Sequence, residues 1–127
     1  MNSKQFLMWG GVVLLLVGIL GFIGVIGPTP DKSIFGSTWW FDNGENWAHT
    51  ILGIVAIIAS MSLAESAQKM LTMAVGVLAL FFGLYNFFST SFYGSSLESP
   101  ADLILHLGVA AWALWAGMQP MMDEAKK

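Results

Sequence analysis

The only two histidines in the chain each follow a carboxylate by four residues, in Glu45-Asn46-Trp47-Ala48-His49 and Asp102-Leu103-Ile104-Leu105-His106. On an α-helix, positions i and i+4 lie on one face, so each pair presents a ring and a carboxylate together. Two imidazoles and two carboxylates are a donor set for Zn²⁺, Mn²⁺ or Fe²⁺. The carboxylates can instead stand behind the rings and orient them, and two rings on facing helices can clamp a haem axially. Histidine also titrates near neutrality, which suits proton handling or pH sensing. The plainest role is structural. Glu45 and Asp102 would then sit near helix N-termini, where a carboxylate is stabilised by the dipole, and each histidine would bond its own carboxylate or Asn86. No nucleophile–base pair, phosphate loop or H-E-x-x-H motif accompanies these residues, so an enzyme is the weaker expectation.

The elements that must position this cluster are read from hydropathy. Of 127 residues, 56% are hydrophobic and only 10% charged, against about 25% charged in a soluble domain. Mean hydropathy is +0.69. A helix needs about 20 apolar residues to cross a bilayer, and four stretches approach that length: about 6–26, 46–63, 70–88 and 101–118. The expected fold is an all-α membrane protein, a bundle of four transmembrane helices in one domain over 1–127. The first span exceeds the h-region of a signal peptide and no A-x-A site follows it, so it is expected to remain as a helix.

Orientation follows the lysines. Lys4, Lys69, Lys126 and Lys127 fall on one side of the spans and Lys32 alone on the other. Both termini and the middle loop are therefore expected to be cytoplasmic, in a multi-pass protein of the cell membrane. Trp39, Trp40 and Trp47 fall at the outer boundary and Trp9 at the inner one, as in an aromatic belt. The first outer segment, 28–45, opens at Gly27-Pro28-Thr29-Pro30 and then runs through Ile34-Phe35-Gly36-Ser37-Thr38-Trp39-Trp40-Phe41. It is expected to lie in the headgroup region on its aromatics, rather than as a lid over the bundle. Ser89 to Pro100 reads as a plain turn. Glu65 and Lys69 read as an i,i+4 pair at a solvated helix end.

Membrane helices pack through small residues, and these define the inward faces. Gly53, Ala56 and Ser60 continue the face of His49, while Ala110, Ala113 and Gly117 continue that of His106. Gly76, Ala79, Gly83 and Asn86 make a third stripe, and Gly18, Gly21 and Gly24 a fourth. Trp112 and Trp115 fall off the stripe of the last helix. At a rise of about 1.5 Å per residue, His49, His106 and Asn86 come to similar depth at the outer end, with Glu45 and Asp102 just above them and Asn46 in the same polar cluster. A histidine there is cheaper to keep than one at the bilayer centre.

The matched carboxylate–histidine pairs and the runs Val17-Gly18-Ile19-Leu20 and Val75-Gly76-Val77-Leu78 suggest a tandem duplication with a unit of about 57 residues, giving halves 1–63 and 64–127. The chain also resembles a group of small four-helix bacterial membrane proteins catalogued as a domain of unknown function. The likeness rests on Leu16 to Phe22 in the first helix, Asn46, His49 and Gly53 in an N-x-x-H-x-x-x-G pattern, Val77 to Tyr85 with Gly83, and Ala101, Asp102, Leu105 and His106 in an A-D-x-x-L-H pattern. It departs where Ser99-Pro100 replaces the asparagine expected before Ala-Asp. The resemblance implies the topology and supplies no activity.

Composition removes other classes. Net charge is −3 and the few lysines are scattered, so no nucleic-acid footprint exists. With no cysteine, thiolate zinc, iron–sulfur and c-type haem sites are excluded. The expected protein is structural or partner-binding, its partners the lipid bilayer and a second copy or another membrane protein. Metal or haem binding through His49 and His106 is the alternative, and a pH-responsive sensor or channel the third.

Overall fold

A computed structural model describes residues 2–92, 95–97 and 101–120. Among them are four helices: α1 (Ser3–Phe22), α2 (Asn43–Ser62), α3 (Glu65–Tyr85) and α4 (Ala101–Gly117). Two short 3-10 turns, Pro30–Lys32 and Gly36–Thr38, lie between α1 and α2, and a two-residue antiparallel ladder, β1 (Ser91–Phe92) with β2 (Ser95–Ser96), lies between α3 and α4. α1 packs mainly on α2 and α3 mainly on α4, and α1 also touches α3 and α4.

α1 and α2 begin earlier than their apolar runs, because polar caps start them. Asn2 accepts from Gln5 N and Gln5 returns a side-chain bond to Asn2 N. Asp42 and Glu45 form the same reciprocal box on α2. Each box satisfies two amides that a helix start leaves without internal partners. α1 also stops earlier than its apolar run. Gly24 takes φ +88 just beyond the helix, and Val25 N–H returns to the Leu20 carbonyl, the 6→1 bond of a glycine-terminated helix. Gly24 is thus an exposed terminator and no part of the packing stripe. Only Leu63 and Ala64 separate α2 from α3, so Glu65 and Lys69 lie in the first turns of α3 and not in a loop.

Glycines set how closely the helices approach. A Cβ on Gly53 would come within 2.7 Å of Gly11 O and Leu15 N, and one on Gly11 within 2.9 Å of Gly53 O. Above this crossing, Gly18 leaves room for the Thr50 hydroxyl and Gly21 for the Asn46 amide. In the other pair, Gly76 receives Leu114, Gly83 receives Leu107 and Gly117 receives Met73. Ala110, Ala113 and Ser60 are buried and Ala56 is half-buried. Phe6, Leu7, Ala59, Ala113 and Ala116 form the buried apolar core. Trp112 joins it, edge-on to Phe6 at 4.7 Å between centroids, although its position lies off the small-residue stripe. Its ring also lies near Gly10, where an added Cβ would stand 3.9 Å away.

Candidate functional site

Both histidines lie at the end of the molecule where α2 and α4 begin. His49 occupies the second turn of α2 and His106 the second turn of α4, each half-buried. Phe41 touches both His49 and Trp39, and the Trp39 indole reaches Asp102, one turn before His106. α2 and α4 thus carry their rings toward a shared region.

The carboxylates are not used as their spacing suggests. Glu45 closes the capping box by accepting from Asp42 N. Asp102 is fully buried and accepts the Trp39 indole N–H at 2.9 Å. His106 Nδ1 sits 2.7 Å from the Asp102 main-chain oxygen, its ring beside Phe82 at 5.8 Å. His49 meets the edge of Phe41 at 5.5 Å, and its buried Nδ1 has no hydrogen-bond partner among the described residues. A carboxylate at the third helical position is drawn back to the N-cap amide, so the i−4 relation to a histidine is necessary for pairing but does not decide it.

Asn46 and Asn86 hold loops. Asn46, fully buried against Gly21, donates to the Phe41 carbonyl at 3.2 Å. Asn86 donates to the carbonyls of Ser89 and Leu97, and Tyr85 reaches Ser91 O. The Oδ1 atoms of both asparagines are buried without partners among the described residues.

The 28–45 segment departs most from expectation. It folds back on itself: Ile34 N bonds Val25 O, Phe41 N bonds Ile26 O, and Ser33 Oγ donates to Trp39 O. Gly27 permits this, since a Cβ there would strike the Phe41 carbonyl. Phe41 is 2% exposed, and Phe35, Trp39 and Phe41 form a chain of ring contacts at 5.4 Å each. The segment therefore covers the cluster and joins α2 to α4, through Phe41 on His49 and Trp39 on Asp102. Interfacial aromatics and an aromatic lid have the same composition, so sequence could not separate them. Ser89 to Pro100 is likewise more than a plain turn: Leu97 is buried, and the backbone of β2 lies beside α2. Within it, 93–94 and 98–100, Glu98 among them, lie outside the described residues, as do Lys126 and Lys127.

As a ligand-binding arrangement the cluster is sparse. Among the described residues no three or more of its histidines and carboxylates are grouped to hold a metal ion. What it does is tie four elements together: α2 and α4 through the 28–45 segment, and the end of α3 through Phe82 beside His106. The chain matches no family model, no curated protein and no solved structure.

Proposed function

We propose that the chain is an integral membrane protein with four transmembrane helices and both termini in the cytoplasm, and that its role is structural or partner-binding rather than catalytic. The observation that carries this is an inverted polarity. Asn46, Ser60, Gln68, Thr72, Asn86 and Asp102 are buried, while Val13, Leu16, Ile51, Ile54, Val55, Ile58, Val77, Leu78 and Ile104 are exposed on all four helices. Water would make that surface costly, whereas a bilayer is its natural solvent. α1 and α3 are long and apolar enough to cross a membrane on their own. α2 matches them in length, but its first two turns carry Asn43, Glu45, Asn46 and His49; α4 is apolar over 17 residues, about 26 Å. A span this short is accommodated by local thinning of the bilayer or by flanking residues.

Absence of cysteine makes the topology directly readable. Ser37→Cys and Ser66→Cys both fall at exposed positions at opposite ends of the molecule. A membrane-impermeant maleimide is expected to label Ser37→Cys in intact cells and Ser66→Cys only after permeabilisation. Equal labelling of both in intact cells would overturn the four-span arrangement.

In this reading the histidine cluster fastens the outer end. A second reading, metal or haem binding through His49 and His106, is favoured by the orphaned Nδ1 of His49 and by the main-chain bond that fixes the His106 ring, an arrangement often found behind a ligating imidazole. One pair of variants separates the two. His106→Ala removes a bond and a ring contact and is expected to lower the melting midpoint in detergent. His49→Leu removes a buried group that forms no Nδ1 bond, and such replacements are neutral or stabilising, so the midpoint is expected to hold or rise. Elemental analysis of tag-free protein completes the test. About one ion per chain, lost in His49→Leu, would replace the structural reading with the cofactor one.

A further inference from the structure

At the end opposite the histidines lies a polar cavity of about 310 Å³, at the small end of the range for ligand sites. α1 and α3 begin there and α2 and α4 end. Among the described residues its wall includes Lys4 from α1 and Lys69 from α3, together with Ser3, Gln68, Gln119 and one acid, Glu65. Lys69 Nζ donates to the Gln119 carbonyl. That bond fixes the ammonium at the rim and leaves two of its three donors for another acceptor. Gln68, 4% exposed, is occupied with the Ala59 and Ser60 carbonyls at the end of α2, so it shapes the floor rather than filling it. Ala64 at the N-cap of α3 supplies no side-chain acceptor, so the positive end of that helix also faces this region.

We propose that this cavity binds a phosphate group, held between Lys4 and Lys69, and that its source is the headgroup of an anionic phospholipid. The proposal rests on the membrane reading only for that source. In a four-span bundle this end lies at the cytoplasmic headgroup level, where lysines near an anionic surface are attracted to it. Among the described residues of the wall two ammonium groups stand against one carboxylate, and each ammonium is carried by a different helix, so an anion between them would tie α1 to α3.

The test uses the full chain purified in a neutral detergent. Saturable binding is measured for phosphatidylglycerol, phosphatidylcholine and inorganic phosphate, on wild type, Lys4→Gln, Lys69→Gln and the remote control Lys32→Gln. Phosphatidylglycerol is expected to bind near one per chain and raise the melting midpoint, with phosphatidylcholine inert. Each of Lys4→Gln and Lys69→Gln should weaken binding about tenfold or more, the scale of one charged hydrogen bond, and Lys32→Gln should bind as wild type does. Lys4 is exposed, so that variant tests the site even if Lys69→Gln fails to fold. Binding of inorganic phosphate alone, still dependent on both lysines, would keep the phosphate site and overturn the lipid source. No saturable binding, or binding unchanged in Lys4→Gln, would overturn the site. A chain that proves soluble without detergent would fail the membrane reading instead, and the inorganic phosphate arm would still decide the site.

Discussion

Gly53→Ala is expected to lower the stability of the α1–α2 pair by about 1–3 kcal/mol, the usual cost of overpacking a tight contact, while Gly108→Ala leaves stability unchanged or slightly raised. The contrast comes from what the new methyl group meets. At Gly53 it lands 2.7 Å from Gly11 O and Leu15 N, which are backbone atoms of a helix and cannot turn aside as a side chain would. The two helices must move apart. Doing so also loosens Thr50 over Gly18 and Asn46 over Gly21, since these contacts share the same crossing. At Gly108 a Cβ meets nothing within 4 Å, and alanine is the better helix former. Thermal melting of both variants in the same detergent checks the pair, and equal shifts would refute the account. Gly11→Ala strikes the same crossing from the other side, at 2.9 Å from Gly53 O. Once either methyl has separated the helices the second costs less, so the double variant is expected to lose less than the two single losses together.

This crossing also shows what could be read in advance. Spacing alone brought out His49, Gly53, Ala56 and Ser60 as one face, because a helix repeats every 3.6 residues regardless of its surroundings. Four apolar runs likewise announced four helices. Gly11 carries no such signal, because it sits in a Gly10-Gly11 pair at the apolar start of α1 and only its partner, Gly53, gives it meaning. Hydropathy alone places the helix starts three residues late in α1 and α2 and five residues late in α3, because it does not register polar starts. The signal was present in two of these cases, as Asn2-x-x-Gln5 and Asp42-x-x-Glu45. Glu65 at the start of α3 has no such box, and its Ala64 N-cap is silent in sequence.

The candidate site was legible in its residues and not in its bonds. Carboxylate and histidine at i and i+4 share a face, yet the carboxylates turn elsewhere: Glu45 to its own cap and Asp102 to an indole 63 residues away. Long-range partners of this kind carry no local signature. The same is true of Phe41, whose burial on His49 depends on a segment that closes through Ile26 and Ser33. Composition shows that aromatics cluster there; only the closed backbone shows that Phe41 is buried and that Trp39 reaches Asp102, while Phe35 stays exposed.

Trp39→Phe is therefore expected to release the 28–45 segment without disturbing the helices. Phenylalanine keeps a ring against Phe35 and Phe41 and removes the indole N–H that Asp102 accepts. A hydrogen bond to a charged group contributes about 1.5–3 kcal/mol, so the open population of the segment should rise about 10- to 150-fold. Trypsin reads this directly. The chain has five basic residues, all lysines, and Lys32 is the one in this segment. Its N–H is bonded to Thr29 O within a 3-10 turn, so cleavage after Lys32 requires local opening, and the rate follows the open population when reclosing is fast. Right-side-out vesicles present Lys32 and shield Lys4 and Lys69 if the four-span topology holds. Trp39→Phe should then be cut at least tenfold faster than wild type, whereas Trp40→Phe, whose indole donates no bond among the described residues, should be cut at the wild-type rate. Similar rates in all three would mean that the Trp39–Asp102 bond does not hold the segment down, and that its closure rests on Phe41 and the backbone bonds alone.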